Sequence, residues 1–295
     1  MPFGGYLYNG QKLPLVKCLK CSLMFIDHSL SESQITSFYD KESYFDSEYG
    51  GGADKDYKAN KLELQKKARN VLKVIKKFTP SGKLLEIGSA GGYFMLTAQN
   101  EFGYKAMGVE ISRSMCDLAT GMGLNTFCGQ LKDLPERIGN FDIIYLGDVL
   151  EHITDPIAFS ILIRKRLNKD GIMVLELPLT YNLTLSGFFI GLVNMTRGRF
   201  GYQYFLPAQH RSTFIPKPPY HLLQFNGSSM DYFFNCNGFK TIYIKTYDGE
   251  PKGKFSGSLY WLLKKVCHFI TSTVRQSWLG DRAIVITRKH YSIST

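Results

Sequence analysis

No stretch of this chain reaches about 18 uninterrupted apolar residues, so no segment is expected to span a bilayer. The first residues, through Pro14, hold no charged stretch followed by an apolar run, so no signal peptide is expected. Cysteine is scarce: there are six, and Cys116, Cys128, Cys236 and Cys267 are scattered without pairing. That excludes a disulfide framework and predicts a reduced, cytoplasmic protein. Internal repeats and low-complexity tracts are absent, so nothing here is built by repetition. Negative charge is also in short supply. Against 36 Lys and Arg stand 25 Asp and Glu, a net charge of +11 with a pI near 9.2. This balance favours an anionic partner, whether nucleic acid, an acidic membrane surface or a phosphorylated substrate, and does not choose among them.

What is present is core material. Hydrophobic residues make up 44% and aromatics 14% of 295 residues, which excludes disorder and allows one large domain or two small ones. Residues 1–55 read as an irregular N-terminal extension, glycine-rich at Gly50–Gly52. Leu64, Ala68, Val71, Ile75 and Phe78 recur at helical steps and predict a helix over 57–78, ended by Thr79-Pro80-Ser81-Gly82. Strands and helices then alternate. Strands are predicted at 83–88, 104–111, 125–128, 141–146 and 171–177, with helices at 92–101, 112–120 and 153–167. Later come a helix at 228–236 and strands at 239–246 and 282–287. Such alternation means a mostly parallel α/β sheet covered by helices on both faces. Residues 181–225 keep no clean period and 250–280 interrupt the last two strands; both are expected to be lid-like insertions in a domain covering 56–295.

Three segments carry chemistry. In the first, a buried strand ends at Glu86 and is followed by Gly88-Ser89-Ala90-Gly91-Gly92 and a helix start. Gly88 and Gly92 allow a tight turn and close approach to a ligand, and the helix N-terminus offers free N–H groups to a carboxylate or a phosphate. In the second, Glu110 ends the next strand, 24 residues after Glu86, where a carboxylate can accept hydrogen bonds from both ribose hydroxyls. The glycine spacing is not the G-x-G-x-x-G run that a dinucleotide usually needs. The third is Phe141-Asp-Ile-Ile-Tyr-Leu-Gly-Asp148-Val149-Leu-Glu151-His152-Ile-Thr-Asp155-Pro156, a strand ending in an acidic residue and then a Glu-His pair.

With these three in register over 83–178, the chain resembles the class I S-adenosylmethionine-dependent methyltransferases, in particular the group with the wording VLEHxxDP. His221-Leu-Leu-Gln-Phe225 and Met230–Phe239 resemble a later segment of the same group. The resemblance implies a Rossmann-like fold with a seven-stranded, mostly parallel sheet, and S-adenosylmethionine as cofactor. It also implies residue roles: Gly88, Ser89, Ala90 and Gly92 line the methionine and ribose, and Glu110 holds the ribose hydroxyls. Ile111 flanks the adenine, Gln130 and Leu131 meet its edge, and Asp148 and Val149 close the pocket near the methionyl amine. Ala90 stands where the group has its middle glycine. Methyl transfer asks mainly for in-line positioning in a dry pocket, with a base needed only where an alcohol or phenol must lose a proton. His152 and His221 are the candidate bases; His152 reads otherwise as a helix-start residue that shapes the pocket, and His221 as an aromatic packing residue.

Weaker signals have bland counterparts. Cys18-x-x-Cys21 resembles the second half of an N-terminal zinc ribbon. Its upstream pair is missing, so a remnant without metal is expected. Pro218-Pro219-Tyr220 looks like an amino-methyltransferase motif but falls outside the strand end where that motif belongs. In 258–278, Leu259, Leu262, Leu263, Val266, Ile270 and Val274 share one helix face, with Lys264, Lys265, His268, Thr271 and Arg275 on the other. The apolar face is expected to pack onto the domain; peripheral contact with an anionic membrane is the alternative. The expected reaction is methyl transfer to a small-molecule acceptor, at an oxygen of a sugar, lipid-linked or secondary-metabolite compound. Nucleic acid is not the expected partner, although an RNA methyltransferase and a non-catalytic cofactor-binding protein stay open as alternatives. Oligomeric state is not legible.

Overall fold

The computed structural model describes residues 4–28, 30–39, 57–180, 184–196, 214–216, 218–219, 221–249, 259–273 and 280–290. The loop expected at Gly50–Gly52, and Lys217, Tyr220, Val274, Arg275 and Trp278, lie outside them. Twelve strands are described: β1 Gly5–Tyr8, β2 Gln11–Lys17, β3 Met24–Ile26, β4 Lys83–Ile87, β5 Lys105–Glu110, β6 Thr126–Cys128, β7 Phe141–Gly147, β8 Leu167–Pro178, β9 Phe214–Ile215, β10 Leu223–Gln224, β11 Phe239–Tyr247 and β12 Arg282–Lys289. The helices are α1 Glu32–Tyr39, α2 Lys61–Ile75, α3 Tyr93–Phe102, α4 Arg113–Gly121, α5 Pro156–Arg166, α6 Leu185–Thr196, α7 Gly227–Cys236 and α8 Leu259–Thr273. None is long and apolar enough to cross a membrane.

The larger sheet has seven strands in the order β11-β12-β8-β7-β4-β5-β6. β4 runs parallel to both β5 and β7, and β5 parallel to β6. The chain therefore moves outward from β4 through β5 to β6, then returns to the other side of β4 as β7. That reversal makes the β4/β7 boundary the topological switch point, where open α/β sheets take their ligands. All seven strands coincide with those expected, and the fold is the Rossmann-like α/β class.

By contacts the chain divides into two compact units: one of residues 1–29, 176–233 and 243–285, the other of 30–175, 234–242 and 286–295. In the second, the centres of β4 and β7 are buried because their side chains there are mostly apolar on both faces. Leu84, Leu85, Ile143, Ile144 and Leu146 are essentially inaccessible. α2 buries Ala68, Val71 and Ile75 of the expected stripe and Leu72 beside them, while Leu64 is half-buried. Each fully buried Leu or Ile contributes about 1.5–3 kcal/mol.

The first unit holds a five-stranded sheet, β10-β3-β2-β1-β9. Here the structure corrects an expectation: residues 5–26 are not irregular but form β1, β2 and β3. β1 and β2 are a hairpin with Tyr8 opposite Gln11, closed by Asn9 and Gly10 at φ +49° and +76°. Two positive φ values mark the turn whose twist matches the strands, and Asn-Gly is the pair that adopts it at least cost. The helix expected at 258–278 is α8, but its faces are inverted. Cys267 and Thr271 point inward, whereas Leu262, Val266 and Ile270, expected to pack, are exposed.

Candidate functional site

The glycine-rich turn after β4 is fixed by its own backbone. The amides of Gly88 and Ser89 both donate to the Val109 carbonyl, at 2.8 and 3.2 Å, which bends the chain back toward β5. Gly88 has φ +69°, and a Cβ there would stand 2.6 Å from Val149 Cγ2. Val149 and Gly88 thus face each other across the switch point. Gly92, at φ +82°, opens α3, and a Cβ on it would meet Leu124 Cδ1 at 2.5 Å. Ser89 is buried, and its hydroxyl has no hydrogen-bond partner among the described residues. Ala90 adopts φ +43°, the left-handed region a glycine would occupy without cost.

Glu110 ends β5 as expected, and the structure brings it to this turn. Its Oε2 accepts from the Ala90 amide at 2.7 Å and its Oε1 from the Ser112 amide at 2.8 Å. Burial pushes its carboxyl above the usual range, and the backbone amides of Ser112, Ala90 and Ile111 oppose that shift. Ile111 follows half-buried. The Gly129 amide donates to the Glu110 carbonyl, setting half-buried Gln130 and buried Leu131 just beyond the end of β6. Asp148 and Val149 follow β7, with Asp148 exposed and at φ +53°. A single helical turn, Leu150–His152, comes next. In it Glu151 is buried and His152 Nε2 lies 3.9 Å from Glu151 Oε1. All these residues sit at the carboxyl ends of β4, β5, β6 and β7. His221 stands apart in sequence, half-buried just ahead of β10 in the other unit.

Two tyrosines escaped the sequence reading. Tyr57 stacks on Tyr93, the first residue of α3, at 5.2 Å between ring centroids. Burial pushes the Tyr57 phenol far up, the Glu86 carboxylate adds to this, and a backbone hydrogen bond from Gly91 opposes it. Glu86 is itself buried, with its carboxyl raised well above the ordinary range by desolvation. A hydrogen bond from the Met95 backbone only partly offsets that, and Glu110 adds to the rise. Nothing in the sequence marks Tyr57, which lies outside any motif and touches the turn only through the fold.

A model of the family described as "Methyltransferase domain" matches residues 59–227, more than half of the chain. The chain belongs to the methyltransferase family. Over 88 residues this methyltransferase is 31% identical to "Uncharacterized protein MJ1123" of Methanocaldococcus jannaschii, covering 30% of the present chain and 40% of the relative. The match thus spans less than half of that curated protein. Two solved structures share the methyltransferase's fold at a TM-score of 0.50. One is a complex of the Haloferax volcanii Trm112 methyltransferase activator with a candidate methyltransferase, at 10% identity over 79% of this chain and 95% of that one. The other is a DhpI–SAH complex, at 13% identity over 90% of this chain and 98% of that one.

The Cys18–Cys21 pair lies in the turn joining β2 to β3, where the Cys18 amide donates to the Leu23 carbonyl at 2.8 Å. Backbone amides, Cys21 foremost and then Lys20, lower the Cys18 thiol, whereas burial raises that of Cys21.

Proposed function

We propose that this methyltransferase binds S-adenosylmethionine at the carboxyl ends of β4, β5, β6 and β7. It would pass the methyl group to an oxygen of a small-molecule acceptor, a sugar, lipid-linked or secondary-metabolite compound. The observation that carries the reading is the Glu110 carboxylate, fixed against the left-handed turn by the Ala90 amide at 2.7 Å. Each of its oxygens has a second lone pair, so both can still accept a ribose hydroxyl. Gly88, whose missing Cβ makes room for Val149 Cγ2 against the turn, and the buried Ser89 hydroxyl support a ligand that approaches the backbone closely.

In this reading Gly88, Ser89, Ala90 and Gly92 hold the methionine and ribose side, and Glu110 the ribose hydroxyls. Ile111, Gln130 and Leu131 flank the adenine, while Asp148 and Val149 lie by the methionyl amine. The cofactor supplies an electrophilic methyl on a sulfonium. The chain's own work is positioning, exclusion of water and removal of one proton. His152 is the first candidate for that proton. Glu151, 3.9 Å from its Nε2, would stabilise the imidazolium formed when the ring takes the acceptor's hydroxyl proton. His221 is the second candidate.

The test begins with calorimetric titration of S-adenosylmethionine and S-adenosylhomocysteine, then an acceptor screen opened with nucleotide sugars and lipid-linked sugars. With a turnover assay in hand, His152→Ala is expected to lower kcat about a hundredfold or more while leaving cofactor affinity within about twofold. The same loss in His221→Ala alone would move the base there. Absence of cofactor binding in the wild-type chain would overturn the reading as a whole.

A further inference from the structure

We propose that α6 and α8, two helices of the first unit that pack against one another, form a docking surface for an anionic lipid bilayer and lie in the plane of its headgroups. The proposal concerns a surface remote in sequence from the cofactor turn and does not depend on the identity of the acceptor.

Both helices wear their apolar side chains outward. On α8, Leu262, Val266, Phe269 and Ile270 are exposed, Phe269 by 68% and Leu262 by 56%. On α6, Phe188, Phe189, Leu192 and Met195 are exposed, each by at least 40%. The spacing 262, 266, 269 and 188, 192, 195 is four then three residues in each case, so each set is one stripe along its helix. The orientation is not loose, because the inward faces are pinned by specific polar contacts. Asp248, fully buried, accepts the Ser186 amide on Oδ2 at 3.0 Å and donates its own amide to Thr271 Oγ1 at 2.9 Å. His268 Nδ1 lies 2.6 Å from the Asp248 carbonyl oxygen, and Lys264 Nζ is 3.3 Å from Asp281 Oδ2. Rolling either helix to hide its apolar stripe would break these bonds and leave buried polar atoms unmatched.

Charge names the occupant. The sequence holds no Asp or Glu from 177 to 230 and none from 251 to 280. The first segment carries four cations (Arg197, Arg199, Arg211, Lys217) and the second five (Lys252, Lys254, Lys264, Lys265, Arg275). Together they account for nine of the eleven net positive charges. The two helices carry no carboxylate of their own, expose apolar and aromatic side chains, and leave Lys265 exposed on α8 while Lys264 is engaged with Asp281; with the cation-rich sequence around them, this matches the boundary between anionic headgroups and acyl chains. A second copy of this chain would bring its own cations against these and be repelled. With 12 and 15 residues, the helices measure about 18 and 22 Å, short of the roughly 30 Å hydrocarbon core, so they would rest on the membrane and not cross it.

The test is flotation of the full chain with phosphatidylcholine vesicles and with vesicles in which about a third of the lipid is phosphatidylglycerol. The chain is expected to float with the anionic vesicles, and less of it with the neutral ones. The double variant Phe188→Ser, Phe269→Ser is expected to lower partitioning about tenfold or more, and Lys265→Gln about fivefold. Melting followed by circular dichroism checks that both variants fold as the wild type does. Failure to float with anionic vesicles would overturn the proposal. So would full binding by the double variant, which would mean that charge alone is read. Light scattering that shows a dimer dissolved by Phe188→Ser, Phe269→Ser would overturn it in favour of self-association.

Discussion

Ala90 carries a methyl group at φ +43°, and Asp148 a full side chain at φ +53°. An L-residue in the left-handed region costs about 1–2 kcal/mol, and here two such residues face the switch point of one sheet. At Ala90 the strain has a visible return: it turns the amide onto Glu110. Glu86 holds a second kind of tension. Desolvation raises its carboxyl well above the ordinary range, and Glu110 adds to the rise. An acid whose folded value is raised holds its proton longer in the native state than in the unfolded one. Its contribution is therefore complete below the unfolded value and is lost as pH rises through the folded value. Denaturant titrations from about pH 5 to about pH 8 are expected to show falling stability, and Glu86→Gln, which keeps an acceptor for the Met95 amide, to flatten that slope. An unchanged slope would place the linkage in another group. The position of Glu110 and of the turn was legible in the sequence, because a strand-ending acid and close glycines are local signals. Tyr57 was not. Its ring reaches Tyr93 and the turn across 35 intervening positions, and nothing local records that meeting.

At the scale of elements, the seven strands of the large sheet were legible because each is a short apolar run bounded by Gly, Pro or charge. β1 and β2 were missed although Asn9-Gly10 marks their turn, because the polar Gln11 and Lys12 dilute the alternation around it. The orientation of α8 was out of reach. Periodicity says which residues share a face and not which face is inward. Here Asp248, through Thr271 and His268, captures the small and polar side. α5 is the element where local rules decide most. Pro156 opens it, and Asp155 Oδ1 accepts from the amides of Ile157 and Ala158 at 3.1 and 2.9 Å. Its last turn is Arg164, Lys165 and Arg166, cations set against the negative end of the helix dipole. Asp155→Ala is expected to cost about 1 kcal/mol in denaturant unfolding. The helix follows directly on the Glu151-His152 turn, so the loss would also be felt in the placement of that pair.

For the whole molecule, ligand linkage offers a reading that needs no acceptor. A ligand that binds only the folded chain at about a hundred times its Kd adds about 2.7 kcal/mol. For a chain of this size each kcal/mol moves the melting temperature by about 2–4 °C, so S-adenosylhomocysteine is expected to raise Tm by about 5–10 °C. If Glu110 holds the ribose as proposed, Glu110→Ala removes two hydrogen-bond acceptors from it and is expected to weaken affinity about tenfold or more. At the same ligand concentration the remaining linkage is about 1.4 kcal/mol, so its Tm should rise by about half as much or less, measured against its own ligand-free melt. That comparison matters because the variant also deprives the Ala90 and Ser112 amides of their partner, which lowers its starting Tm without touching the ligand. Equal rises in the two proteins would remove Glu110 from the site and leave the cofactor in place. No rise in either would mean that a turn built around Ala90 no longer admits the cofactor, and the family's fold would be serving a different ligand on this chain.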